Sequence, residues 1–217
     1  MLLLAFDTAT PAVTVALYDG AHVLAEVASA DARRHGELLA PAIDKVLAGA
    51  GVTAQDVTAV AVGTGPGPYT GLRAGLVTAR ALGSALGIPV YGACTLDVIA
   101  HDAAPAAGGR DFVVATDARR KELYWARYSA DGLRLTEPAV SAPGGIGAGY
   151  PVAGVGPVLY PSLLGERIEP EYPAAATLAH LITQRLAARL PMHPAEPLYL
   201  RRPDARVPGP PKRVTPS

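Results

Sequence analysis

The stretch Gly63-Thr64-Gly65-Pro66-Gly67-Pro68-Tyr69-Thr70-Gly71-Leu72-Arg73 restricts what this chain can fold into more than any other. It follows an apolar run, Val57–Val62, that reads as a buried strand, and it precedes an Ala/Gly/Leu segment that reads as a helix over Gly71–Leu86. A Gly-rich turn from strand to helix is a common way to build an anion cradle. Glycine lets the backbone come close to a ligand, and the free N–H groups of the helix start point outward. This loop is not a Walker A motif, because no Gly-Lys-Ser/Thr follows it, and it lacks the spacing and context of a Rossmann fingerprint. Pro66 and Pro68 remove two backbone donors and stiffen it. That rigidity suits a fixed shape, either lining a ligand or partner or supporting the neighbouring strands. Thr70 is placed to cap the helix opening at Gly71. Arg73 could hold an anion or a partner carboxylate in its fork.

Around this loop the order of elements is legible. Leu2–Phe6, Val13–Tyr18 and His22–Ala28 read as three strands, the last two joined by an Asp19-Gly20 turn that signals a hairpin. A helix over Ala32–Ala48 follows, ended by Gly49 and Gly51, and a short strand at Pro89–Tyr91 comes after the second helix. The resulting βββαβαβ order implies antiparallel hairpins followed by parallel, helix-crossed pairing. Ala103–Gly109 reads as a linker or loop. Beyond it the plan restarts with strands at Phe112–Thr116, Glu122–Ser129 and Leu133–Glu137, a turn at Ala130-Asp131-Gly132, a strand at Pro151–Val155 and a helix over Ala174–Leu190. From Pro203 the chain is Pro-rich and charged without periodicity, and residues 203–217 read as a disordered tail.

Composition removes several classes. The 217 residues are half hydrophobic, enough for a real core, and carry 19 basic and 19 acidic side chains. No global basic field holds nucleic acid, so RNA contact would need a local patch or a partner. One cysteine, Cys94, rules out a disulfide framework and favours a cytoplasmic protein. The start lacks a basic segment, and Asp7 interrupts its apolar run, unlike a signal peptide. No run approaches the roughly 18 apolar residues of a membrane span.

Four stretches together carry a resemblance: Ala5-Phe6-Asp7-Thr8-Ala9-Thr10, the loop 63–73, Asp117-Ala118-Arg119 with Glu122-Leu123-Tyr124-Trp125-Ala126, and Ala195-Glu196-Pro197-Leu198-Tyr199-Leu200-Arg201. In this order and spacing, from Met1 to about Arg202, the chain resembles the TsaB (YeaZ) family, a bacterial branch of the glycoprotease-like (peptidase M22-type) proteins. The resemblance implies a two-domain α/β fold of the actin-like ATPase and sugar-kinase class, which is ribonuclease H-like. It divides the chain into an N-terminal subdomain over 1–102 and a smaller, similar one over 103–202. It also implies a non-catalytic subunit that partners the paralogue TsaD, which transfers a threonylcarbamoyl group to an adenosine of tRNA next to the anticodon. A small ATPase, TsaE, joins the pair. Further implications are a homodimer when the chain is alone, tRNA contact only through the complex, no membrane, and no tightly bound cofactor. A nucleotide at an interface shared with the partner complex is the one ligand the resemblance allows.

Particular residues sharpen this. Asp7 ends the first strand, with Thr8 and Thr10 following; in the actin-like class that position faces nucleotide phosphates, often through a metal and water. The plain alternative is a hydrogen-bonded turn in which Asp7 accepts backbone N–H groups. With Gly65, Gly67, Thr70, Gly71 and Arg73, Asp7 and Thr8 make up the phosphate-loop-like or partner-lining set. In the catalytic paralogue the stretch matching Pro89–Ile99 carries two metal-binding histidines one helical turn apart. Here Thr95 and Ile99 stand in those places, and none of His22, His35, His101, His180 and His193 forms a His-x-x-x-His pair. No metal site of that type, and no catalytic residue, is therefore expected. Cys94 reads as a small core residue rather than a nucleophile.

The helix over 32–48 has a wide apolar stripe, and the helix after the loop carries small residues that permit close approach of another helix. These small faces pack either inside the domain or against a partner. In the family the two helices resemble the surface used for homodimers and for the TsaB–TsaD pair, which would put His35, Leu38, Leu39, Ala74, Gly75, Thr78 and Ala79 at or near it. Arg119-Arg120-Lys121 would meet tRNA phosphates or form a solvated turn. Gly144–Gly149 and Gly154-Val155-Gly156-Pro157 are candidates for a second phosphate loop or surface turns. A protease reading finds no Ser/His/Asp set. A weak kinase-like ATPase or small-molecule kinase of the same fold class stands as the alternative to the scaffold role.

Overall fold

A computed structural model describes residues 1–30, 35–146 and 148–201, without the side chains of residues 30, 35 and 36. The expected tail, 203–217, lies outside the described residues.

The first three strands are β1 (Leu3–Asp7), β2 (Ala12–Tyr18) and β3 (Val23–Ala30), paired antiparallel in sequence. The hairpin signal holds. Gly20 sits at φ +102, and the Asp19 carboxylate accepts the N–H groups of Ala21 and His22 at 2.8 and 2.7 Å. Helix α1 (His35–Gly49) crosses to β4 (Ala59–Gly63), which pairs parallel with β1. Helix α2 (Tyr69–Leu86) leads to β5 (Val90–Ala93), parallel with β4. The sheet order is β3-β2-β1-β4-β5.

Every residue of β1, β2 and β4 is buried, so both faces of this sheet are covered. Alternation along β1 sends Leu4 and Phe6 to one face, where Leu39, Val46, Leu72 and Ala79 of α1 and α2 complete a core. Leu3 and Ala5 point to the other face. That face is covered by the late helix over Ala175–Ala187, through Ala175, Leu178, Ala179 and Ile182. The late helix thus returns to the first sheet. Fully burying a side chain such as Leu178 or Phe6 is worth roughly 1.5–3 kcal/mol, which fixes the long return path.

The plan does restart. Strands β6 (Phe112–Asp117), β7 (Leu123–Tyr128), β8 (Ala139–Ser141) and β9 (Val152–Ala153) form a second sheet in the order β8-β7-β6-β9, with β6 antiparallel to β7 and parallel to β9. This repeats the order of the first sheet without its fifth strand. Two sheets built on one plan, with helices covering them, give the actin-like architecture. The place of a fifth strand is partly taken by residues 166–168, whose Glu166 C=O and Ile168 N–H bond Val152.

Three expectations need correction. The supposed linker Ala103–Gly109 contains the end of α3 (Thr95–Ala103) and a 3-10 turn over Ala104–Ala107, with Ala103 and Ala107 fully buried. A run of small residues there reflects close packing against Phe112 and Tyr128, not chain freedom. The strand expected at Leu133–Glu137 is reduced to a single bridge between Arg134 and Tyr128, and the paired strand is β8. Helix α2 opens at Tyr69 behind Pro68, with no side-chain cap, so Thr70 is an exposed first-turn residue rather than the cap.

Candidate functional site

Strand β1 delivers Asp7 to the mouth of the glycine loop, fully buried. One carboxylate oxygen accepts the Ala9 N–H at 2.7 Å, and the other accepts the Thr95 hydroxyl at 2.7 Å. The same hydroxyl accepts the Gly65 N–H at 3.2 Å, while the Thr95 N–H donates to the Gly65 carbonyl at 2.8 Å. Thr95 opens α3, so the helix start, the loop and the end of β1 are joined through one side chain. Thr8 adds a second tie: its hydroxyl donates to the Gly71 carbonyl at 2.7 Å and accepts the Gly75 N–H at 3.1 Å.

The glycines of the loop are there because protein atoms fill the space. A Cβ on Gly63 would fall 1.9 Å from an Asp7 carboxylate oxygen, and one on Gly67 would fall 2.1 Å from the Ala9 carbonyl oxygen. What crowds the inside of the loop is a carboxylate and a carbonyl, the wrong sign for an anion cradle. Asp7 therefore has the hydrogen-bonded-turn role, with a threonine from a distant helix as its second partner.

The C-terminal segment closes the loop from outside. Leu198 N–H donates to the Thr64 carbonyl at 2.8 Å, and Gly92 N–H to that of His193 at 2.9 Å. Gly92 has no room for a side chain because the Pro194 carbonyl oxygen would lie 2.4 Å from its Cβ. Arg80 of α2 grips the Ala195 carbonyl with two nitrogens, at 2.8 and 3.1 Å.

Nearby titratable groups are tuned for structure. Burial, reinforced by Asp97, pushes the Cys94 thiol up to about 12, far from a nucleophile's range. Burial also raises the Asp97 carboxyl, against the pull of Arg134 and of the Tyr128 hydroxyl that donates to it at 2.8 Å. Among the described residues no three His, Cys, Asp or Glu side chains gather as a metal site.

The small residues of α2 divide by face. Gly71, Gly75, Ala79 and Gly83 recur every four residues and are buried against the first sheet, where Gly75 leaves room for Thr8 and Gly83 for Val90. Ala79 and Gly75 are therefore internal contacts, and so is Leu39 of α1. Leu38, Ala74 and Thr78 are half-buried and reach the surface with Arg73. His35 opens α1, and its side chain lies outside the described residues. A groove of about 400 Å³ runs between the helices, lined by Leu39, Ala40, Thr70, Arg73, Ala74, Val77 and Thr78. Sequence reasoning missed Tyr69 and Tyr199 beside it. Tyr199 carries a ring stacked on Tyr69 at 5.8 Å and an oxygen that accepts Arg73 Nε–H at 3.1 Å. Its only signal was a place in the Pro-Leu-Tyr-Leu-Arg stretch.

The second half holds a counterpart. Gly154 and Gly156, after β9, pack on Ala115 of β6 as Gly63 and Gly67 pack on the end of β1 and the residues after it. Asp117 ends β6, accepts the Arg119 N–H at 2.8 Å and pairs with its guanidinium at 3.3 Å. Arg119, Arg120 and Lys121 all have positive φ, and Arg201 pins this turn through Glu122 and the Ala118 carbonyl. Gly144 and Gly145 lie in an exposed turn with open space around them.

Fold and site together define an actin-like chain whose first glycine loop is closed by its own side chains. Residues 22–157 match the family model described as TsaD, tRNA N6-adenosine threonylcarbamoyltransferase. An uncharacterized protein of Mycobacterium tuberculosis is 46% identical over 209 residues, covering 94% of this chain and 93% of the relative. The tRNA threonylcarbamoyladenosine biosynthesis protein TsaB of Escherichia coli is 37% identical over 131 residues, covering 60% of this chain and 56% of that protein. The solved structure of YeaZ from Pseudomonas aeruginosa superposes with a TM-score of 0.77 at 27% identity, covering 91% of this chain and all of that one. The chain belongs to the glycoprotease-like family of TsaD and TsaB, and its similarity runs to the TsaB (YeaZ) members.

Proposed function

We propose that this chain is the non-catalytic partner subunit in the formation of threonylcarbamoyladenosine in tRNA, working with a TsaD-type transferase and a TsaE-type ATPase. Membership of the family and the TsaB relatives support the pathway. The single observation that carries the non-catalytic role is the Thr95 clasp: the hydroxyl that ties Asp7 to Gly65 stands where the paralogue would place a metal histidine. Asp7 then serves as a lock between strand, loop and helix. The same lock sets the start of α2, whose exposed side, with Leu38 of α1, is the surface offered to the transferase. Alone, the chain uses this surface for a homodimer. Contact with tRNA and nucleotide comes through the assembled complex, in the cytoplasm.

Size-exclusion chromatography with a TsaD-type partner tests the reading. Co-elution as a heterodimer at micromolar concentration is the expected result, and separate elution under all nucleotide conditions would contradict it. A kinase-like ATPase gains nothing from the geometry, because acceptors rather than donors crowd the loop.

A further inference from the structure

We infer that the C-terminal segment Pro194–Arg201 is part of the partner-binding surface, and that Tyr199 acts there as a positioning residue holding Arg73 to receive a carboxylate of the transferase. This rests on the reading of the α1–α2 face as the surface turned to that partner.

Three contacts set Arg73. Its guanidinium carbon lies 4.2 Å from the centroid of the Tyr69 ring, its Nε–H donates to the Tyr199 oxygen, and the two tyrosine rings stack on each other. One turn of helix separates Tyr69 from Arg73, so both leave α2 on the same side. Tyr199 arrives from the C-terminal segment, which Arg80, Thr64 and Gly92 fasten along the first domain. With Nε engaged and one guanidinium face on a ring, the Nη1/Nη2 edge keeps the geometry for a bidentate carboxylate. Among the described residues no carboxylate pairs with Arg73; its neighbours are Tyr199 and Tyr69.

The surroundings favour a protein partner over RNA. Val77 is 65% exposed one turn further along α2, and Tyr69 and Tyr199 are 52% and 45% exposed. With the α1–α2 groove they form an aromatic and aliphatic patch around Arg73, while Arg80, two turns further along α2, is engaged with the Ala195 carbonyl. Tyrosine and arginine beside a groove are the residue types that dominate protein interfaces. A phosphate-reading surface would instead cluster cations. Against a partner helix, the groove would take apolar side chains while an Asp or Glu of that helix meets Arg73.

Affinity for TsaD, measured by calorimetry, tests this with Arg73→Ala, Tyr199→Phe, their double variant, and Val77→Asp as a probe of the face itself. Arg73→Ala should weaken binding about ten-fold or more. Tyr199→Phe keeps the stack and loses the hydrogen bond, and should weaken it several-fold. In the Arg73→Ala background Tyr199→Phe should add nothing, because Tyr199 acts through Arg73, and melting temperatures should stay at the parent value. Additive losses, or losses that follow a fall in melting temperature, would overturn the positioning role. If Val77→Asp abolishes binding while Arg73→Ala and Tyr199→Phe bind as the parent does, the inference fails and the interface reading stands. If Val77→Asp also binds normally, the interface reading itself fails. Loss of tRNA binding or of self-association alone, with TsaD affinity intact, would likewise overturn it.

Discussion

Asp7 and Asp117 end equivalent strands, β1 and β6, and their surroundings differ in a way that separates the two halves of the molecule. Asp7 is fully buried and bound by the Ala9 N–H two residues on and by the Thr95 hydroxyl of the distant helix α3. Asp117 is partly exposed and spends itself on Arg119, two residues away. In the first half the acid ties the end of β1 to the glycine loop and to the start of α3. In the second half the acid stays local, in a charged turn at the surface. Depth decides the difference, since a buried carboxylate must find full hydrogen bonding while an exposed one has water.

That contrast can be broken by substitution, starting with the largest effect. Gly63→Ala drives a methyl group into the Asp7 carboxylate and should cost about 3 kcal/mol or more in denaturant unfolding. A cost below about 1 kcal/mol would mean that the loop is looser than drawn. Thr95→Val keeps the volume and removes the hydroxyl that serves one Asp7 carboxylate oxygen and the Gly65 N–H; about 2–3 kcal/mol should be lost. Asp117→Ala, its counterpart in the second half, should lose only about 1 kcal/mol. Equal losses for these two would erase the contrast. Cys94, one residue before Thr95, adds a pH readout. Its folded pKa of about 12 lies above the ordinary 9.0, so over that window the unfolded chain releases a proton that the folded chain keeps. Stability should therefore fall as pH rises from about 9, by up to about 1.4 kcal/mol per unit. A flat profile for the parent relative to Cys94→Ala would contradict the burial. Gly144→Ala, in open space, should change stability by less than about 0.5 kcal/mol.

Much of the architecture was written in local signals. The Asp19-Gly20 turn fixed a hairpin, and the strand-loop-helix around Gly63–Arg73 fixed a parallel crossover. Both are decided by residues close in sequence. The short helix α3 was hidden because its burial comes from β6 and β7, not from its own periodicity. Ala79 and Gly75 were legible as small residues but not as to what they touch. Only the fold shows that one stripe of α2 faces the sheet while Arg73 and Val77 face out. Thr95 drew notice as an absent histidine, whereas its partner Asp7 lies 88 positions away. A contact across that separation leaves no mark on either segment. Tyr199 and Arg73, 126 positions apart, were invisible as a pair for the same reason.

In the proposed role this chain supports a transfer reaction that its partner performs. Reconstitution with tRNA, threonylcarbamoyl-adenylate and ATP measures it most directly, by the formation of threonylcarbamoyladenosine. No product is predicted from this chain alone, and product at a rate well above that of TsaD and TsaE alone is predicted once all three proteins are present. Product from the isolated chain, abolished by Asp7→Asn, would contradict the account and return the glycine loop to catalysis.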